Sequence, residues 1–219
     1  MQEHRRSYVP ALGFHWLTRM YDPVVAVLLK EEKFKRALVN QAGLKPGHRV
    51  LDLGCGTGSL TIMLKRACPT ATVVGLDGDP AVLAIARAKI AAADVHVELQ
   101  EGLAFAPPFA PASFDRVVSS LVFHHLTTED KRRSLARVRE LLRPGGELHI
   151  TDWGQAQNPL MRLAFLSVQA LDGFRTTTDN VRGRLISFMQ EAGFTEVAET
   201  HRAMTPLGTL SRYRAIAPT

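Results

Sequence analysis

Arg49-Val-Leu-Asp-Leu-Gly-Cys-Gly-Thr-Gly-Ser-Leu60 is the stretch whose reading decides the fold. Val50 to Leu53 is a short apolar run broken by one acid, Asp52, which is the pattern of a buried parallel strand. Gly54, Gly56 and Gly58 follow at alternate positions, with Cys55 between the first two, and a helical pattern opens near Ser59. Glycine lets the backbone turn sharply and approach a ligand with no Cβ between them. The helix that follows aims its free N–H groups into the same gap. The unit is a cradle for a nucleotide-type ligand, and its spacing excludes two common ones. A dinucleotide loop, G-x-G-x-x-G, needs a third glycine where Ser59 stands. A phosphate-binding P-loop ends in Gly-Lys-Ser/Thr, and no lysine occurs before Lys65. Asp52 would also repel a pyrophosphate, whereas it suits a ligand that carries an ammonium group.

Downstream, strands and helices alternate. Ser59 to Ala67 is a helix, and Thr72 to Leu76 is a β-branched second strand that stops at Asp77-Gly78-Asp79-Pro80. Asp77 lies 23 residues beyond Gly54, near the separation at which an acid on a strand tip meets a ribose held by the first loop. Its carboxylate can accept from both hydroxyls of a diol. Asp79 reads instead as the N-cap of a helix over Pro80–Ala93, with Pro80 at its first position. Strand three is expected over Val95–Leu99 and strand four over Phe114–Ser119. A parallel sheet gathers its ligands at the carboxyl ends of its strands, so Ser119, Ser120, His124 and His125 are placed at the glycine loop's crevice. Thr127 or Thr128 starts a helix to Leu142, which Arg143-Pro-Gly-Gly146 ends before a fifth strand, Glu147–Asp152. An apolar helical segment over 158–171, a helix over Val181–Glu191 and two strands, Thr195–Thr200 and Thr209–Ile216, complete the chain. Upstream, a helix is expected from Pro23 to Ala42, capped by Asp22.

The nine positions from Val50 to Gly58 resemble motif I of the class I S-adenosylmethionine-dependent methyltransferases, close to V-L-D-L-G-C-G-T-G. Ser113-Phe-Asp-Arg-Val-Val is also similar to that family's fourth-strand opening. The resemblance covers about residues 46–155 strongly and the rest in outline. It implies an α/β, Rossmann-like seven-stranded sheet, mostly parallel with an antiparallel C-terminal strand and with helices on both faces. Residues 1–45 would form an N-terminal helical lid and residues 46–219 the cofactor domain, with a helical insertion at about 154–180 roofing the substrate pocket. The implied cofactor is S-adenosylmethionine, leaving as S-adenosylhomocysteine. Asp52 and the loop Gly54-Cys55-Gly56 to Gly58 would face the methionine end, and Asp77 with Gly78 the ribose. Where the family commonly has an acidic G-D-A loop this chain has Gly102-Leu103-Ala104, so adenine would rest on the backbone and apolar surface of Gly102 and Leu103. Ser119 and Tyr21 complete the expected cofactor set, Tyr21 as a lid residue or as one of a core cluster of aromatics. His124 and His125 are the candidate bases, or else cap a helix and pack beneath the sheet. As adjacent residues they point in different directions, and no third ligand stands at metal spacing, so no metal is expected. The motifs look most similar to the small-molecule branch that includes the ubiquinone/menaquinone-biosynthesis C-methyltransferases. No Asn-Pro-Pro-Tyr or Asp-Pro-Pro-Tyr motif of nucleic-acid amino methylation follows strand four.

Composition sets the remaining bounds. The 219 residues suit one α/β domain with additions. The two cysteines, Cys55 and Cys68, lack metal-ligand spacing and favour a reducing cytoplasm over a disulfide scaffold. The N-terminal Met-Gln-Glu-His-Arg-Arg has no apolar signal core, and no apolar run approaches the ~18 residues of a membrane span. A net charge of +6 leaves an anionic substrate or peripheral membrane contact open and is modest for nucleic acid. The expected partner is a small, apolar-leaning molecule, and the sequence sets no oligomeric state. A protein that holds the cofactor without turnover is the second reading, because methyl transfer obliges no particular catalytic residue.

Overall fold

The computed structural model describes residues 31–219. Seven strands form one sheet in the order β3-β2-β1-β4-β5-β7-β6. They are β1 (Arg49–Leu53), β2 (Thr72–Asp77), β3 (Glu98–Glu101), β4 (Phe114–Ser120), β5 (Leu142–Trp153), β6 (Thr195–Thr205) and β7 (Gly208–Ile216). The first five run parallel, while β7 is antiparallel to both β5 and β6. The expected Rossmann-like plan with its antiparallel C-terminal strand is therefore present. The chain winds outward from β1 to β3 and then returns to the other side at β4. The reversal opens a crevice beyond the carboxyl ends of β1 and β4, where open α/β sheets take their ligands.

Alternation along the central strands divides the core between two faces. Val50, Val73 and Val118 point to one side and pack on Leu38, Val39 and Ala42 of α1 (Glu31–Ala42) and on Leu60 and Leu64 of α2 (Ser59–Ala67). Their neighbours Leu51, Val74 and Val117 point to the other side. There they meet Leu135, Val138 and Leu141 of α4 (Thr128–Leu141) and Leu185, Phe188 and Met189 of α7 (Leu185–Glu191). Helix α3 (Pro80–Ala92) closes a smaller cluster through Ala86 and Ile90. The described end of the expected N-terminal lid, α1, is thus a core layer. Tyr21, and the stretch from Pro23 assigned to the same helix, lie outside the described residues.

Several boundaries differ from the expected ones for identifiable reasons. β3 begins at Glu98 rather than Val95, because only Glu98–Glu101 pairs with β2, while Val95 and Val97 pack on the Ile62–Ala86–Ile90 cluster ahead of the strand. Arg143-Pro-Gly-Gly146 was expected as a turn after the helix. The chain instead enters β5 directly at Leu142, and the register shift between Phe114 and Arg116 absorbs the irregularity. Gly145 takes a left-handed φ of 74° there, and Gly146 O accepts from Ala217 N at 2.8 Å. The helix expected over Val181–Glu191 begins late, as α7 at Leu185; a separate helix, α6 (Phe174–Val181), precedes it and ends ahead of Gly183, whose φ is 67°. β6 runs on to Thr205 through two register shifts against β7. Capping follows the sequence closely. Asp79 accepts from Ala81 N and Val82 N, Thr127 from Asp130 N, and Asn158 from Met161 N at the start of α5 (Pro159–Asp172). No helix among the described residues is long and apolar enough to cross a membrane.

Candidate active site

The glycine loop leaves β1 under restraint. Gly54, Gly56 and Gly58 all have left-handed φ, at 73°, 53° and 79°. Gly54 N and Cys55 N both donate to Leu76 O, at 2.8 and 2.9 Å, so the turn is stitched to the tip of β2. A Cβ on Gly54 would stand 2.4 Å from Val122 Cγ2, which is how closely the loops after β1 and β4 approach. A Cβ on Gly56 would meet nothing within 4 Å, so the middle of the loop borders open space. Gly58 precedes α2 and offers no side-chain cap, which leaves the first helical N–H groups directed at that space.

Asp77 forms the other wall. One carboxylate oxygen accepts from Gly56 N at 2.9 Å and the other from Asp79 N at 3.0 Å. Burial raises its pKa against the pull of these backbone donors. Each oxygen keeps a further lone pair for a ligand hydroxyl. Gly78 follows at the bend of β2 into α3. Gly102 N donates to Asp77 O at 3.0 Å, and a Cβ on Gly102 would crowd Leu76 and Pro108, both at 2.9 Å. Leu103 is half-buried beside it, and its carbonyl accepts from Ala106 N in a tight turn. These groups form one continuous rim along the carboxyl ends of β1, β2 and β3.

Three of the expected cofactor residues have other commitments. Asp52 is 1% exposed, and its Oδ2 accepts from Thr61 Oγ1 of α2 at 2.6 Å, with burial lifting its pKa to about 6. The acid therefore lies beneath the loop. Ser119 was expected in contact with the cofactor, but it is fully buried and donates to Leu53 O at 2.9 Å, a tie between β4 and β1. Cys55 packs under Gly75, and burial pushes its thiol pKa well up, so it is a packing residue rather than a nucleophile. The neighbouring Ser120 hydroxyl is buried at the end of β4 with no hydrogen-bond partner among the described residues. That orphaned polar atom, the open space at Gly56 and the free N–H groups of α2 fit a polar ligand along this rim.

The far wall is built on Asp152, a residue the sequence marked only as the end of a strand. It is fully buried, and its oxygens accept from Val122 N (3.1 Å), Phe123 N (2.7 Å), Trp153 N (2.7 Å) and Asn180 Nδ2 (3.3 Å). His124 Nδ1 lies 2.7 Å from Asp152 Oδ1, which fixes the ring with Nε2 directed away from Asp152. Asp152 thus pins the whole turn from Leu121, whose φ is +58°, to the short 3₁₀ segment Phe123–His125. His124 and His125 do not diverge as expected, because the 3₁₀ geometry brings their rings to 3.9 Å between centroids. Asp172, at the end of α5, places Oδ2 3.6 Å from His124 Nε2. Burial, helped by the Lys131 charge, pushes the His125 pKa well below its usual value, so this ring is neutral. No local pattern could have announced Asp172 or Asn180, since α5 and α6 bring them in from beyond β5.

Comparison with known proteins agrees with this geometry. Residues 50–146 match the model of a family described as a methyltransferase domain. The chain is 32% identical to an uncharacterized methyltransferase of Synechocystis sp., over 76% of each chain. It is 30% identical to the ubiquinone/menaquinone biosynthesis C-methyltransferase UbiE of Pseudomonas putida, over 99% of this chain and 91% of that one. The solved apo structure of the S-adenosylmethionine-dependent methyltransferase SibL superposes with a TM-score of 0.71 at 25% identity, covering 96% of this chain and 60% of that one. The sheet order, the three-glycine loop and these likenesses agree: the chain belongs to the class I S-adenosylmethionine-dependent methyltransferases, and S-adenosylmethionine is its cofactor.

Proposed function

We propose that this enzyme methylates a small, predominantly apolar acceptor of the quinone-precursor kind. The reading rests on one observation above all: the glycine loop, tied to Asp77 and open at Gly56, meets the Asp152-pinned turn through the Gly54–Val122 contact. Donor and acceptor walls are therefore adjacent. Relatives named as quinone-biosynthesis methyltransferases, such as UbiE and the demethylmenaquinone methyltransferase of Deinococcus radiodurans, support the acceptor class. Exposed apolar side chains beyond β5 support it too: Leu160, Leu163, Leu166 and Leu171 along α5 and Phe174 at the start of α6.

In this reading Asp77 takes the ribose, with Gly78 beside it. The N–H groups around Gly56 to Ser59 take the polar methionine end, and Gly102 and Leu103 bracket the adenine. Asp52 acts through its field beneath the loop rather than by touching the ligand. Bound there, S-adenosylmethionine supplies a methyl carbon that its sulfonium makes electrophilic. The chain has to hold the acceptor in line with that carbon and keep water out, for which proximity and orientation supply several kcal/mol. An acceptor carbon or hydroxyl that must lose a proton meets His124, held by Asp152, with His125 stacked against it.

Calorimetric titration with S-adenosylmethionine, S-adenosylhomocysteine and NAD tests the donor side. The first two are expected to bind at one site per chain and NAD not at all. Transfer of labelled methyl to demethylated quinone precursors, lost in His124→Ala, tests the acceptor side. Tight donor binding with no transfer to any precursor or cell extract would sink the catalytic reading and leave a cofactor-holding protein.

A further inference from the structure

The acceptor wall carries a constellation that methyl transfer does not require. His124, His125 and Asp172 each offer one donor atom, and the three atoms lie within 4.8 Å of one another. His124 Nε2 to Asp172 Oδ2 is 3.6 Å, too long for a hydrogen bond. It is close to the ~3.4 Å edge of a tetrahedron whose metal–nitrogen and metal–oxygen bonds are about 2.1 Å. The first ligand is also oriented from behind. Asp152 sits 2.7 Å from His124 Nδ1, giving the carboxylate–histidine relay that fixes the tautomer and presents Nε2 at metal sites. Two adjacent histidines serve together only because the 3₁₀ segment stacks their rings at 3.9 Å.

We propose that His124 Nε2, a ring nitrogen of His125 and the Asp172 carboxylate form a binding site for one divalent transition-metal ion, zinc foremost. Two imidazoles and one carboxylate suit borderline ions of that class better than calcium or magnesium, which prefer all-oxygen shells. Three protein ligands leave a fourth position for water or for an oxygen of the acceptor. With the ion bound, His124 is a ligand rather than a base, and an acceptor hydroxyl at the fourth position would ionise more readily, releasing its proton to solvent. The site stands on residues distinct from the glycine loop and Asp77, so it does not depend on how the methyl donor is held.

The test uses the full chain, stripped with a chelator and then titrated with zinc chloride by calorimetry. Cobalt(II) follows as a spectroscopic stand-in. One equivalent of zinc is expected, together with visible d–d absorption of a four- or five-coordinate cobalt centre. His125→Ala and Asp172→Asn should each weaken zinc binding at least tenfold, and His201→Ala, at an exposed histidine elsewhere, should not. Far-UV circular dichroism and melting temperature confirm that each variant is folded. Should one variant unfold, the other together with the cobalt spectrum of the parent chain decides. Substoichiometric zinc, octahedral cobalt absorption, or equal affinity in His125→Ala and His201→Ala would overturn the proposal. Titration of the parent chain with S-adenosylmethionine reports the donor site separately, so a parent chain that binds the donor but no zinc rejects only the metal site.

Discussion

Asp77 shapes the glycine loop and, in the proposed reading, also takes the ribose. Its oxygens hold Gly56 N and Asp79 N, so the cradle is shaped before any cofactor arrives. Asp77→Ala frees both amides and removes the diol acceptor, and affinity for S-adenosylmethionine should fall at least tenfold by calorimetry, about 1.4 kcal/mol or more. Unchanged affinity would mean that the ribose is held elsewhere. Asp52 makes a second residue-scale prediction. Burial lifts its pKa to about 6, above the ordinary value near 3.9, so the folded state takes up a proton that the unfolded state does not. The stability this lends is complete below about pH 4 and is lost as pH rises through about 6. Asp52→Asn, which keeps an acceptor for Thr61 without the charge, should therefore be more stable than the parent at pH 8. By urea titration the gap should close toward pH 4. Gly54 is the third case. Gly54→Ala puts a methyl 2.4 Å from Val122 Cγ2 at a φ of 73°, and strain with overpacking should cost about 2–4 kcal/mol in denaturant titrations.

Among the elements, α1 is the one whose role moved. Its apolar spacing was visible, but helical periodicity does not say which surface a helix covers. The structure answers with Leu38, fully buried against Val50 and the flank of α2. Leu38→Ala should cost about 2–5 kcal/mol, a core value, whereas a lid helix resting on solvent would lose under about 0.5 kcal/mol. The glycine loop, the Asp79 and Thr127 caps and the central strands were legible because each rests on local chemistry: backbone conformation, a side chain bonded to an amide two or three residues on, or an apolar run. β3 and β5 were misplaced at their ends because pairing partners decide strand limits. Val95 and Val97 read as strand by alternation, yet the pairing with β2 takes in only Glu98–Glu101. The break at Gly183 was missed because Val181-Arg-Gly-Arg-Leu185 keeps helical spacing across a residue that takes a φ of 67°.

Across the whole molecule, the joining of the glycine loop to Asp77 was readable, the buried places of Asp52, Cys55 and Ser119 were not, and the far wall was readable only in part. Gly54, Gly56, Gly58 and Asp77 fall within one short span of sequence and meet as their spacing implied. The acceptor side is assembled from β4, β5, α5 and α6, and no spacing rule links His124 to Asp152, Asp172 or Asn180. Ligand linkage supplies a prediction at this scale. S-adenosylmethionine at one hundred times its dissociation constant should stabilise the chain by about 2.7 kcal/mol, and thermal unfolding should show the rise with S-adenosylmethionine and not with NAD.

The Asp152 pin has a consequence for how such an enzyme can diverge. The span that matches the methyltransferase-domain family closes at residue 146, six positions short of the carboxylate on which the turn beneath the acceptor depends. The matched span holds the glycine loop and Asp77 but stops short of the carboxylate that pins the turn. In the proposed reading, the choice of what is methylated therefore falls to the stretch beyond β5, where α5 and α6 can differ while the glycine loop and Asp77 stay as they are.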